Sequence, residues 1–168
     1  MSLPRVITAF QLFVDGRGML GKTEKVTLPN LEIETEEYRG GGMDLPIELD
    51  QGMKAMEMSF MHAEFDPDLA KLFGLRNGNT IPFTVRAASE DDEGNVIPVV
   101  IQGRGKLKGL DLGDLEPGKK GAVDFSVALR YFKLTIDGSN VIEIDAENGK
   151  RIIDGVDQLS ERRAAIGV

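Results

Sequence analysis

An antiparallel, mainly β fold, a sandwich or partly open barrel with two short α-helices, follows from three features of this 168-residue chain. Apolar and polar residues alternate with period two over many stretches. Met56, Met58 and Phe60 stand against Ala55, Glu57 and Ser59, and Val123, Phe125, Val127 and Leu129 against their even neighbours. Turn dipeptides separate the stretches, among them Asp15-Gly16, Asn77-Gly78, Asp137-Gly138, Asn148-Gly149 and Asp154-Gly155. Helical spacing with end signals occurs only after Asp66 and after Gly155. The length suits one domain, residues 1–168, with a single core.

In chain order, residues 1–9 read as an arm, Phe10 to Val14 as a brief strand ended by Asp15-Gly16, and Arg17 to Lys25 as turn-rich chain. Val26 to Leu28 form a short strand stopped by Pro29. From Leu31 to Glu36 a strand carries Leu31, Ile33 and Thr35 on one face and Glu32, Glu34 and Glu36 on the other. Residues 39–52, opened by Arg39-Gly40-Gly41-Gly42-Met43-Asp44, read as a loop far longer than a hairpin turn needs. The Met56 to Phe60 strand follows.

Asp66 then caps a helix with Pro67 in its first position, Leu69, Leu72 and Phe73 at helical spacing, and Gly74 as the stop. Pro82 to Ala88 form the next strand, and Glu90 to Asn95 an acidic, solvated hairpin tip. Val96 to Leu110 read as a long strand in which Gly103 and Gly105 signal a bulge or a close backbone approach. After an exposed connection from Gly113 to Gly121, apolar residues are odd through Tyr131 and even at Phe132, Leu134 and Ile136. Such a flip requires a bulge or a strand that passes from one sheet into another. Val141 to Ile144 add a strand, and a second helix over Val156 to Ala165 ends at Gly167.

Composition narrows the function. With 20 Lys and Arg against 28 Asp and Glu the chain carries −8, which disfavours nucleic acid and anionic membrane as binding partners. Arg104, Lys106 and Lys108 on one strand face read as a solvated stripe. There is no cysteine for disulfides or thiolate metal sites, no apolar run of membrane-spanning length and no signal-peptide layout, so a cytoplasmic site of synthesis is expected. Catalytic constellations are thin. His62 is the only histidine and reads as structural, and Ser59, three residues away on a strand, points to the opposite face. Gly40-Gly41-Gly42 lacks the companions of a phosphate loop, and Met53, Met56, Met58 and Met61 read as core. No enzyme activity, metal or cofactor is expected. A ligand-binding β-barrel, or a hydrolase built on carboxylates such as Glu32 and Glu57, remains as an alternative from another class.

The run Tyr38-Arg39-Gly40-Gly41-Gly42-Met43-Asp44 with Pro46, Asp50, Gly52 and Met53, then Tyr131-Phe132-Lys133-Leu134 with Asp137-Gly138, and finally Gly155-Val156-Asp157-Gln158-Leu159, resembles the major tail tube proteins of contractile-tailed bacteriophages and R-type pyocins. Leu12-Phe13-Val14-Asp15-Gly16 and Thr27-Leu28-Pro29 match as well, so the resemblance spans nearly the whole chain and is weakest over about Asp66 to Asn95. It implies hexameric rings stacked into a hollow tube, four strands per subunit closing a common lumen barrel. Twenty-four strands at about 4.8 Å spacing and a tilt of roughly 40° give a backbone diameter near 48 Å, enough for duplex DNA.

The partners implied are further copies of the chain, a sheath, a tape-measure protein, baseplate and tail terminator proteins, and DNA as non-specific cargo, all in a virion tail assembled in the host cytoplasm. A pyocin-like or secretion-type particle without a genome is the alternative within this class. On that reading Glu32, Glu34, Glu36, Glu57 and Ser59 are expected to face the lumen. Arg39, Gly40, Gly41, Gly42, Met43, Asp44, Leu45, Pro46 and Asp50 are expected between stacked rings, with residues 1–9 and the C-terminal helix and tail, 156–168, as further contact candidates.

Overall fold

The computed structural model describes residues 3–168, so the first two residues of the expected arm lie outside the described residues. The chain runs through β1 (Val6–Val14), β2 (Arg17–Gly18), β3 (Thr23–Thr27), β4 (Ile33–Tyr38), β5 (Ile47–Met53) and β6 (Met56–His62). Then come α1 (Pro67–Ala70), β7 (Ile81–Glu90), β8 (Val96–Asp111), β9 (Val123–Ile136), β10 (Ser139–Asp145), β11 (Lys150–Ile153), β12 (Val156–Asp157) and α2 (Ser160–Ala165). All pairings are antiparallel, and they are not closed into a barrel.

Two long strands organise the ladder. The first half of β9, Val123 to Leu129, pairs with β6 on one side and with residues 105–111 of β8 on the other; β3 extends this group beyond β6. The second half of β9, from Tyr131, pairs with β10 and the first half of β8, and this group continues through β11 and β12 on one side and β7, β1 and β2 on the other. The changeover is a bulge at Arg130, because Arg104 opposes Tyr131 while Gly105 already opposes Leu129. Of the two devices named by the parity flip, the bulge is the one found, and at it β9 passes from one group of the same sheet to the other. Gly105 is required there: a Cβ on it would lie 2.1 Å from the Ala128 carbonyl oxygen.

The two groups fold onto one another. Phe60 of β6 and Phe83 of β7 are three ladder steps apart, roughly 14 Å in a flat sheet. Their ring centroids are instead 6.2 Å apart, and Phe60 stacks on Phe125 at 4.8 Å. Leu12, Val14, Met56, Met58, Val85, Leu107, Val127 and Leu129 belong to the same buried cluster. Burial of these alternate residues supplies the main stabilisation.

Local chemistry sets the connections. Asp15, Asp137 and Asp154 all have φ near 50°, each followed by a glycine at 77–78°, the geometry of a two-residue hairpin turn that needs two left-handed residues. Asp66 caps α1, its Oδ1 accepting from the Asp68 and Leu69 amides, and Pro67 opens the helix as expected.

Four expectations are corrected. Residues 6–9 are not arm but strand, held against the far end of β7. The loop ends at Pro46, because Ile47–Met53 pairs with β4 as a separate two-stranded sheet. Val156 and Asp157 join β11 rather than α2, which is a helix of six residues. Met61 lies on the outer side of β6 beside Lys25 and Asp124 rather than in the core.

Candidate assembly surfaces

The group β3, β6, β9 and the end of β8 has two unlike faces. One is the core face. The other sets Lys25, Met61, Asp124 and Asp111 in one row, Thr27, Ser59, Ser126 and Gly109 in the next, and Glu57, Ala128 and Lys106 in a third. The bulged Lys108 reaches this side too, its Nζ 2.7 Å from Glu57 Oε2. The charged side chains of these rows, with Lys108, are three cations, Lys25, Lys106 and Lys108, and three anions, Glu57, Asp111 and Asp124. The face is polar, hydroxyl-bearing and charge-balanced.

Its two margins are open. Among the described residues β3 pairs only with β6, and β8 beyond Gly105 has no second strand, because β7 ends its pairing at Ile81 opposite Gly105. Gly74 N meets Leu107 O at 3.5 Å, and Lys106 Nζ meets Asn77 Oδ1 at 3.2 Å. A sheet with an open edge on each side is a template for strand pairing with another chain.

The β4–β5 hairpin is the second surface. Cross-strand partners share a face, so Tyr38, Ile47, Glu36 and Leu49 lie on one side and Glu37, Glu48, Thr35 and Asp50 on the other. Glu37 opposite Glu48 is a like-charge pair, unfavourable by itself. Tyr38 is 53 % exposed and Leu45, in the loop, 74 % exposed; Ile33, Ile47 and Leu49 are exposed as well. The loop is ordered by its own bonds, with Arg39 Nε donating to Met43 O at 3.0 Å and Met43 N to Gly40 O at 3.2 Å.

The hairpin is tied to the body at its base. Asp50 Oδ2 accepts from Arg151 Nη2 at 3.0 Å, while Asp50 Oδ1 accepts from Gly52 N. The amide of Gly52, with Arg151, holds the Asp50 carboxyl below its ordinary value. Lys54 bonds Glu32 through both its backbone N–H and its ammonium. An open cavity of about 280 Å³ lies beneath, walled by Met53, Met56, Leu129, Ile144 and Leu159.

At the C-terminus, Arg163 donates to Gly149 O at 2.8 Å and to Asp157 Oδ2 at 2.5 Å, which holds the Asp157 carboxyl down at about 2. Ile166 and Val168 are left exposed.

The structure therefore divides the residues expected at a lumen. Glu57 and Ser59 lie on the charge-balanced face; Glu34 and Glu36 lie on the hairpin, and Glu32 at its base. Arg39 to Pro46 form the hairpin loop, while Asp50 is an anchor in β5. The Arg104, Lys106, Lys108 stripe is engaged throughout, Arg104 standing 4.5 Å from the Tyr131 ring centroid. Burial raises the Tyr131 hydroxyl to about 12, aided by its bond to Glu143.

A sequence model of the phage tail tube protein FII family matches residues 4–167. The chain belongs to that family. As a phage tail tube protein it is a structural component of a virion tail. It is 31 % identical over 172 residues to the tail tube protein of Escherichia phage P2, covering both chains completely. It is 28 % identical to the major tail tube protein of Serratia phage KSP20, over 88 % of this chain and 86 % of that one. Its fold is similar to that of a chain in the sheath-tube complex of the PVC extracellular contractile injection system, with a TM-score of 0.61 at 11 % identity over 79 % and 91 % of the two chains. A chain of the anti-feeding prophage baseplate gives 0.56 at 13 % identity, over 80 % and 97 %.

Proposed function

We propose that copies of this tail tube protein close into hexameric rings by pairing the β3 edge of one subunit with the 105–111 edge of the next, and that stacked rings form the conduit for genome ejection. One observation carries the reading: a core-backed sheet has a polar second face and, among the described residues, no strand partner at either margin. Ring closure satisfies both edges at once. The polar face then lines the lumen, with Glu57, Ser59, Thr27 and Ser126 among its residues.

Such a wall suits passage rather than binding. Duplex DNA is held when cations neutralise phosphates and release counterions. Lys108 is matched here by Glu57, and the face as a whole carries no excess of cations. Of the residues expected at the lumen, Glu57 and Ser59 belong to this wall in the proposed ring, while Glu34 and Glu36 belong to the hairpin and Glu32 to its base. The β4–β5 hairpin joins rings or neighbouring subunits, where burial of Tyr38, Ile47, Leu49 and Leu45 gives its two strands the cover they lack alone. The sheath and baseplate assemblies named for the similar injection-system chains extend to this chain by analogy, a tail terminator would close the tube, and a tape-measure protein and DNA would occupy the lumen.

Size-exclusion chromatography with negative-stain electron microscopy of the concentrated protein tests the reading. Rings or hollow tubes are expected, and removal of Gly41 to Leu45 should leave folded subunits that do not stack. Full-length tubes from the deletion variant would assign stacking elsewhere. A protein that stays monomeric when supplied with baseplate components would overturn ring closure itself.

A further inference from the structure

We propose that His62, Glu64 and Asp66 form a divalent-cation site at the end of the four-stranded sheet, independent of the assembly surfaces above. The ligating atoms of the three side chains all lie within 4.8 Å of one another. His62 closes β6 and is completely buried, yet its Nε2 has no hydrogen-bond partner among the described residues. A buried ring nitrogen without a partner is an anomaly, and here its surroundings point to an occupant.

The geometry orients the imidazole from behind. Thr23 Oγ1 lies 3.5 Å from Nδ1, and with the ring proton on Nδ1 the lone pair of Nε2 faces Asp66 Oδ2 at 4.0 Å. That gap exceeds a hydrogen bond and is wider by about 0.6 Å than the roughly 3.4 Å between two ligands bonded at about 2.0–2.2 Å to one tetrahedral ion, so a small closure of the two side chains would seat a metal. Asp66 is fixed in the same manner. Its Oδ1 is committed to the Asp68 and Leu69 amides of α1, which leaves Oδ2 turned toward His62. Both are ligands held by an outer partner. Glu64 completes the set from the exposed side, where Lys22 Nζ now stands 2.5 Å from its Oε1. A cation entering between the carboxylates takes over the role of that ammonium, and Lys22 turns to solvent.

One imidazole and two carboxylates suit a borderline ion such as Zn²⁺ or Co²⁺. The consequence is a cross-link: the ion would join the last residue of β6 to the cap of α1. Its effect would be on rigidity at the rim of the sheet.

The test uses untagged full-length protein, stripped with a chelator and titrated with CoCl₂ by visible absorption and with ZnCl₂ by calorimetry and thermal melting. One ion per chain is expected. At a hundredfold excess over Kd, Zn²⁺ should raise Tm by on the order of 5–10 °C. Asp66→Asn preserves an oxygen for the helix cap and should lose at least tenfold in affinity, as should the exposed Glu64→Gln. Circular dichroism establishes that both variants fold. A wild-type chain that gives no cobalt d–d bands, or variants that bind as tightly as wild type, would overturn the site.

Discussion

The four-stranded group and the β4–β5 hairpin are both antiparallel ladders of alternating residues, and they differ in what lies behind them. Phe60, Phe125, Val127 and Leu107 press against the opposite wall of the same subunit, whereas Tyr38, Ile47 and Leu49 face solvent. The first is stable through its own chain. The second is a two-stranded ribbon fixed by Asp50, Arg151, Glu32 and Lys54 at one end, and its apolar face awaits a neighbour. The same period-two signal thus encodes a folding surface in one place and an assembly surface in the other.

The comparison breaks most severely at Phe125. Phe125→Ala removes the ring stacked on Phe60 and should cost the subunit ~3–5 kcal/mol in chemical denaturation. Next comes Gly105→Ala, whose methyl meets the Ala128 carbonyl; a loss of ~1–3 kcal/mol is expected, with faster amide exchange around Arg130.

Smaller still is Arg151→Ala. It should leave the global unfolding midpoint nearly unchanged while amides of residues 33–53 exchange faster, because it frees only the hairpin. Acid should do the same to the intact protein. The folded Asp50 value lies below its ordinary 3.8, so its anchoring contribution is fully present above about pH 4 and is lost as pH falls through the lowered value. Limited proteolysis between pH 5 and pH 3, on the order of those bounds, checks the direction. The smallest effect on the subunit is expected from Tyr38→Ser with Leu49→Ser: melting within about 0.5 kcal/mol of wild type, but no stacked tubes by electron microscopy.

What the sequence discloses depends on how locally each feature is determined. The Asp-Gly hairpins, the Asp66 cap and the bulge near Tyr131 are legible because each is written in adjacent residues. The hairpin strand β5 is not: Ile47 and Leu49 alternate with Glu48 and Asp50 for four residues only, between Pro46 and Gly52, and only pairing with β4 across the loop makes them a strand. Val156 and Asp157 lie just ahead of α2 but take the state that β11 imposes. The candidate wall was half legible. Glu57 and Ser59 follow from the alternation of β6, but Lys108 reaches Glu57 from 51 residues away, and no local pattern announces that neutralisation.

The bulge at Arg130 also governs which lengths the chain tolerates. Because β8 and β9 each serve both groups of the ten-stranded sheet, a one-residue insertion or deletion within Val123–Ile136 would invert the facing of everything beyond it, exchanging wall for core. A two-residue change would keep the facing but shift the pairing against β6 and β10. Length variation among related chains is therefore expected to be confined to hairpin tips and to the 112–122 connection, while the spacing across these two strands works as a fixed reading frame for the whole fold.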